Sequence, residues 1–191
     1  MNTKSLFLVI GLMFLSVSHL YSMDLEKVEA YVDNDNLVIK IYGQGSLPSE
    51  FESVIKNNMD LKVIISVKIF RRDFKPLNIT TEMTNYTIMR QISYDLITEN
   101  FLVFDGIKFK LTPSLEDVSK NIFPIVFKQK IGELKALPDF SPVYEDTDFV
   151  VGVKMRASYL DLKPPLSIIA SILNLGGIEG KDVYSDPFLI R

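Results

Sequence analysis

Alternating hydrophobic and polar residues mark two long strands in the middle of the chain. Every odd-numbered residue from Leu61 to Ile69 is aliphatic, and the residues between them are mostly polar. After a turn rich in charge, the same period of two returns at Tyr86, Ile88, Ile92, Tyr94 and Leu96. This period places one set of side chains on one face of a strand. Because each buried side chain of this size contributes about 1.5–3 kcal/mol, we expect the ribbon from Asp60 to Asp105 to organise the core.

A shorter hairpin is predicted before this ribbon. Leu25–Val32 and Leu37–Tyr42 alternate apolar and polar residues on either side of Asp33–Asn36. Asp and Asn bond to nearby backbone groups and tolerate tight turns. These residues therefore favour a first antiparallel pair.

Two short helices are predicted to lie beside the strands. The first follows Pro48, where Ser49 and Glu52 have the spacing of a capping box; its expected inner residues are Phe51, Val54 and Ile55. The second begins near Thr112–Ser114, and its expected inner residues are Leu115, Val118 and Ile122. Both apolar sets fall on one helical face, so both helices should pack on a sheet.

The second half of the chain contains two further predicted strands. One follows the turn at Asp105–Gly106, where Ile107, Phe109 and Leu111 alternate with polar residues. The other runs over Asp148–Leu160, with Lys154 and Arg156 on one face. The residues expected on the other face are Phe149, Val151, Val153, Met155, Ala157 and Tyr159. Between them, Phe123–Val143 is interrupted by Pro124, Gly132, Pro138 and Pro142, so we interpret it as irregular.

These elements predict a mainly β (β-rich α+β) fold. We expect an antiparallel sheet curled into a sandwich or open barrel, with two or three short helices. Nothing resembling a linker or repeat divides the pattern, and residues 23–191 are expected to form a single β-rich domain.

The first residues have the pattern of an export signal. Lys4 precedes an apolar run from Leu6 to Val17, and small residues follow at Ser18 and Ser22. The run is shorter than the approximately 20 apolar residues of a membrane span. Residues 1–22 are therefore interpreted as a signal peptide, with an uncleaved membrane anchor as the alternative. The product is expected to be exported to the periplasm or the medium with no later transmembrane segment.

The amino-acid composition excludes several classes of binding and catalytic site. The formal charge of −3 argues against binding to nucleic acid. The chain has no Cys, and its one His, His19, lies in the predicted leader. A chain without these residues cannot build a Ser-His-Asp, Cys-His or His-ligated metal site. We therefore expect a protein that is not an enzyme and that needs no cofactor or metal.

Three weaker sequence patterns are compared with known catalytic or metal-binding motifs below. Ser53 and Lys56 have Ser-x-x-Lys spacing but lack the companion motifs of that enzyme class. The Asp33–Asn36 stretch begins like a calcium loop, but Leu37 and Val38 then replace a ligand and a glycine. An acidic cluster at Glu145, Asp146 and Asp148 is more typical of a solvated turn. A hydrolase working with carboxylates alone stays as a further alternative.

One apolar segment stands out as a candidate contact surface. Leu166–Leu175 has no charged face, which predicts either a core element or a surface that binds a partner or lipid. The candidate contact residues are Pro165, Leu166, Ile168, Ile169, Ile172 and Leu173.

Two functional hypotheses follow. The first is a non-catalytic interaction module of the bacterial cell envelope, which contacts an envelope protein through the Leu166–Leu175 segment or a sheet edge. The second is a carrier whose curled sheet encloses an apolar ligand.

Several motifs together resemble one protein family. They are the Leu61–Ile69 strand followed by Arg71-Arg72, Tyr94-Asp95, the Phe149–Leu160 strand, the Asp161–Leu166 stretch and Ser185-Asp186-Pro187-Phe188. In this order they are similar to the exported bacterial proteins of domain of unknown function family 4390. The chain departs from the family pattern because it has no Trp, and Phe188 stands near one such position. The resemblance implies export and a mostly β fold and transfers no catalytic residue.

The leader generates the first testable prediction. Protein recovered from its native host should begin at His19 or Met23, because cleavage is expected after Ser18 or Ser22. N-terminal sequencing checks this. Intact protein beginning at Met1 in the cytoplasm would contradict it.

Overall fold

A computed structural model describes residues 23–74, 79–138, 140, 147–159 and 178–190 of the chain. In chain order the elements are β1 (Asp24–Asp33), β2 (Asn36–Gln44), α1 (Ser49–Lys56), β3 (Leu61–Phe74), β4 (Ile79–Asp95), β5 (Asn100–Phe104), β6 (Phe109–Thr112), α2 (Val118–Ile122), β7 (Ile125–Lys130), α3 (Ile131–Lys135), β8 (Asp148–Tyr159), β9 (Ile178–Glu179), β10 (Val183–Tyr184) and β11 (Phe188–Leu189).

The long ribbon predicted from the sequence forms the middle of the larger sheet. Its strand order is β10-β8-β3-β4-β5-β6, with all pairs antiparallel, and β9 and β11 also pair with β8. Strand β3 therefore has a partner on each side, β4 and β8. The apolar row of β3 is almost completely removed from solvent, with Leu61, Val63, Ile65 and Val67 at 0% exposure and Ile69 at 1%.

The first hairpin is also confirmed and belongs to a second, three-stranded sheet. Asp33 pairs with Asn36, and Asn34 turns the chain with a φ of 52°. Strand β2 then pairs with β7, which gives the order β1-β2-β7. A positive φ is tolerated by Asn because its short polar side chain can bond locally.

The two sheets enclose one hydrophobic cluster. The smaller sheet contributes residues that include Leu37, Ile39 and Ile41, and the larger sheet contributes the inner row of β3 and that of β8. The rings of Tyr86 and Phe127 meet across the interface, with centroids 4.8 Å apart. The fold is thus mainly β, with two antiparallel sheets and three short helices among the described residues, as in a β-sandwich.

The expectation that Phe123–Val143 is irregular was wrong for part of that stretch. Strand β7 pairs along β2, and α3 follows it with Ile131 and Leu134 buried. Pro124, joined to Phe123 by a cis peptide bond, lies immediately before the strand, and Gly132 lies inside the helix. The residues that break regular structure therefore mark the limits of short elements instead of one long loop.

The two helices predicted from the sequence, α1 and α2, are present, with a difference at their starts. In α1, Phe51 and Ile55 are buried, but Pro48 takes the N-cap position and no side chain caps the helix. The capping box at Ser49 is therefore wrong, because Ser49 is already the first helical residue. Helix α2 begins later than expected, at Val118, and Leu115, Val118 and Ile122 are buried as predicted.

The β3 row generates the second prediction. Ile65→Ala removes a fully buried side chain and should lower the free energy of unfolding by about 2–5 kcal/mol. The neighbouring Ile64 is only half-buried on the opposite face, so Ile64→Ala is the matched control and should cost clearly less. Urea unfolding of both variants measures the difference. Equal losses would contradict the assignment of the two faces.

Candidate interaction surface at the edge of the larger sheet

Strand β6 turns its apolar side chains towards solvent. Phe109 is 60% exposed and Leu111 61%, whereas Thr112 on the other face is 1% exposed. Ile107 precedes the strand and is 92% exposed. The three apolar residues that alternate in the sequence are therefore exposed in the structure. The inner side of β6 is occupied by α2 instead, where Lys110 Nζ donates to the backbone oxygen of Asn121 at 3.3 Å.

The exposed residues of β6 continue into neighbouring strands. Leu102 lies opposite Leu111, and Phe104 lies opposite Phe109, with the two phenylalanine ring centroids 4.7 Å apart. Directly opposed residues share a face of the sheet. We call the residues of this face the outer apolar patch: Met89, Leu102, Phe104, Phe109 and Leu111. Sequence analysis missed Met89, Leu102 and Phe104, although the unbroken apolar run Phe101–Phe104 signals a strand with apolar side chains on both faces.

The backbone of β6 is also directed outward at the same residues. The N–H of Asp105 donates to the oxygen of Lys108, so these two residues form a hydrogen-bonded pair. Hydrogen-bonded and non-bonded pairs alternate along an antiparallel ladder. Lys110 and Thr112 therefore bond to β5, and Phe109 and Leu111 point their N–H and C=O groups away from it. Since β6 ends the strand order among the described residues, these groups face an edge that no described strand covers.

A tight turn holds this edge in place. Gly106 lies between Asp105 and Lys108 with a φ of +98°, a conformation that glycine adopts without steric cost. Asp105 Oδ1 accepts the N–H groups of Ile107 at 2.9 Å and Lys108 at 3.0 Å. The bond from Lys108, followed by that from Ile107, lowers the pKa of Asp105 below its ordinary value.

Arg90 supports the same turn from β4. Its guanidinium donates to the backbone oxygens of Asp105 and Met89. Burial is the main cause that lowers the pKa of Arg90, and the Asp105 carboxylate acts in the opposite direction. A half-buried cation thus ties the end of β5 to the neighbouring strand.

The edge of the smaller sheet offers a contrast. The N–H of Ile131 donates to the oxygen of Asp35, so alternation along the ladder leaves Val126, Lys128 and Lys130 with backbone groups that face the open side of β7. Two of these three residues are lysines, a common protection against strand addition. Strand β6 instead presents apolar side chains at both outward positions.

Two regions of the described structure bear on the hypothesis of a ligand carrier. An open groove of about 760 Å³ is lined by residues that include Glu26, Tyr42, Glu116, Lys120 and Phe123. The apolar gap between Ile69, Met83, Leu134 and neighbouring side chains has no room for a water molecule. Typical ligand pockets measure roughly 300–1,000 Å³, so this gap lends no support to an apolar-ligand carrier.

The pKa of six described carboxyl groups is shifted, in each case downwards. A general acid of a hydrolase needs a carboxyl with a raised pKa. Among the described residues, the carboxyls with a resolved shift all have a lowered pKa, namely Glu29, Glu82, Asp95, Asp105, Asp117 and Glu179. In each case the largest cause is a hydrogen bond donated to the carboxylate.

The other sequence patterns resolve into ordinary structure where they are described. Lys56 Nζ bonds to Glu52 at 2.7 Å, so a carboxylate holds the cation of the Ser-x-x-Lys spacing. The Asp33–Asn36 stretch is the turn of the first hairpin. Glu145 and Asp146 lie outside the described residues. Within the described ranges, no group of three potential ligands is arranged for a metal ion.

The contact residues predicted in the Leu166–Leu175 segment lie outside the described residues. These are Pro165, Leu166, Ile168, Ile169, Ile172 and Leu173. The leader, residues 1–22, lies outside them as well. Among the helices that the structure describes, none has the length and apolar character needed to cross a bilayer.

Comparison of the chain with protein-family models, with curated proteins and with solved structures gave no match. The geometry of the described residues is therefore the basis for the functional argument.

The turn at Asp105 generates the third prediction. Because its folded pKa is below the ordinary 3.8, the carboxylate stabilises the hairpin fully above that pH, and this stabilisation is lost as pH falls through the lower folded value. The amide chemical shifts of Ile107 and Lys108 should report a midpoint below 3.8. Asp105→Asn keeps an acceptor but cannot titrate, so it should abolish this transition. A midpoint at or above 3.8 would contradict the proposed bonds.

Proposed function

We propose that the protein is a non-catalytic interaction module of the bacterial cell envelope, which accepts an extended strand of a partner polypeptide along β6. One observation carries the proposal: Phe109 and Leu111 combine outward backbone groups with side chains that are 60% and 61% exposed. An added strand would satisfy the backbone groups and cover the side chains at the same time.

This mode of binding has a clear physical basis. When a peptide extends a sheet, main-chain hydrogen bonds provide affinity, and alternate side chains provide specificity. Leu111 and Phe109 continue into Leu102 and Phe104 on the outer apolar patch. A contiguous exposed apolar surface of this kind is typical of a binding site.

The turn and the inner face give the edge the rigidity that such binding needs. Asp105 and Arg90 hold the β5–β6 hairpin through bonds to backbone groups. On the inner side, Val118 and Ile122 of α2 are buried in the core. A preordered strand loses little conformational freedom when a partner pairs with it.

The location in the envelope rests on the sequence. Lys4 and the apolar run from Leu6 to Val17 have the order of an export signal. The motif resemblance to exported proteins of family 4390 stays a prediction, and it implies the same location. The non-catalytic role is supported by the absence of Cys and by the position of the one His, His19, within the predicted leader.

The edge can be tested without disturbing the fold. Leu111→Pro removes an outward N–H that makes no bond to β5, so the variant should keep its melting temperature within a few degrees. A displayed library of random peptides should yield binders to the wild-type protein that lose binding to Leu111→Pro. Backbone amide exchange in the complex should slow at Phe109 and Leu111.

Val126→Pro is the matched control for this experiment. Val126 is 52% exposed on edge strand β7, and its N–H also points away from its neighbouring strand. This variant should bind the selected peptides as the wild type does. A library without binders, or binders that are equally retained by Leu111→Pro, would refute the proposed function.

A further inference from the structure

The proposed function leaves open which strand the edge would select. Lys108 and Lys110 alternate with Phe109 and Leu111, so the two ammonium groups lie on one side of the hairpin and the apolar side chains on the other. Lys108 is exposed and Lys110 half-buried. Neither forms an ion pair with a carboxylate in the part of the chain that the structure describes.

Pairing with a second copy of this strand is electrostatically unfavourable. In an antiparallel pair, the outward groups of Phe109 would bond with those of Leu111 in the other copy, which places Lys110 directly opposite Lys110. Bonding of Phe109 to its own counterpart places Lys108 opposite Lys110. Like charges directly opposed across strands are destabilising.

The third register, in which Leu111 pairs with Leu111 of the other copy, lacks hydrogen-bond donors. If Leu111 bonds with its own counterpart, Phe109 faces Pro113 of the other copy, and proline has no N–H to donate. Each of the three registers is therefore impaired either by charge or by a missing donor.

We propose that the β6 edge recognises an extended acidic segment of a different polypeptide, in which acidic and apolar residues alternate. The acidic residues lie opposite Lys108 and Lys110, and the apolar residues lie opposite Phe109 and Leu111 on the outer apolar patch. Because β6 has four residues and Pro113 follows it, the recognised core is correspondingly short. This inference rests on the proposed function and adds the chemistry of the partner.

Three synthetic peptides of equal length provide the test, with valine alternating with glutamate, with serine or with lysine. The glutamate peptide should bind the purified protein about tenfold more tightly than the serine peptide, as two opposite-charge cross-strand pairs would give. The lysine peptide should bind most weakly. Fluorescence anisotropy at low salt measures all three.

Charge-reversed variants separate local recognition from net charge. Lys108→Glu should weaken binding of the glutamate peptide and strengthen that of the lysine peptide. Lys108 is chosen because it is exposed, whereas Lys110 also bonds to Asn121. Lys128 is exposed on β7. Lys128→Glu changes the net charge by the same amount as Lys108→Glu and should leave the affinities for the glutamate and lysine peptides unchanged.

The possible outcomes distinguish the acidic partner from the strand-accepting edge itself. Equal binding of the three peptides that is abolished by Leu111→Pro would overturn the acidic partner and leave the strand-accepting edge standing. Equal effects of Lys108→Glu and Lys128→Glu would also overturn it, because net charge alone would then explain the preference. If sedimentation shows a dimer of the wild-type protein and a monomer of Leu111→Pro, then β6 pairs with a second copy of the chain, which would overturn the proposal of a different polypeptide. Binding that is unaffected by Leu111→Pro would overturn the proposed function itself.

Discussion

The inner row of β3 is the constraint on which the rest of the structure depends. Its five aliphatic residues from Leu61 to Ile69 are at most 1% exposed, and β3 is paired on both sides. A strand buried in this way cannot slip by one residue, because every side chain would change face. The register of β4 and β8 follows from it, and through β4 so do the positions of β5 and β6. The apolar edge at β6 is therefore positioned by β3, a core strand three places away from it in the sheet.

Sequence periodicity predicted the parts of the fold in which burial and alternation agree. The β1–β2 hairpin, the β3–β4 ribbon and the inward residues of β8 up to Ala157 follow directly from a period of two. Strand β7 escaped prediction because Pro124 and Gly132, which bound a short element, resemble the residues of a loop. Its inward residues, Ile125 and Phe127, are too few to establish a period alone.

The candidate surface was missed for a different reason. Alternation shows that Phe109 and Leu111 share a face, but it carries no information on which face of the strand the core lies. That choice is made by tertiary packing, since α2 occupies the inner side of β6 through residues such as Val118 and Ile122. The same limit explains why Thr112, a polar residue, is buried while its apolar neighbour Leu111 is exposed.

Exposed apolar residues on an open edge carry a risk of self-association, and the composition of β6 addresses it. Short length, lysines and a following proline are devices by which natural sheets discourage edge-to-edge pairing. Strand β6 has only four residues and contains Lys110, and it lies between Lys108 and Pro113. Complete protection would replace Phe109 and Leu111 with polar residues, as the lysines of β7 illustrate. The retained aromatic and aliphatic side chains fit the proposed edge, which would repel its own copy while admitting a strand of opposite charge. Specificity of this kind is a difference between affinities, and in the proposed complex it would arise from repulsion of the wrong partner as much as from attraction of the right one.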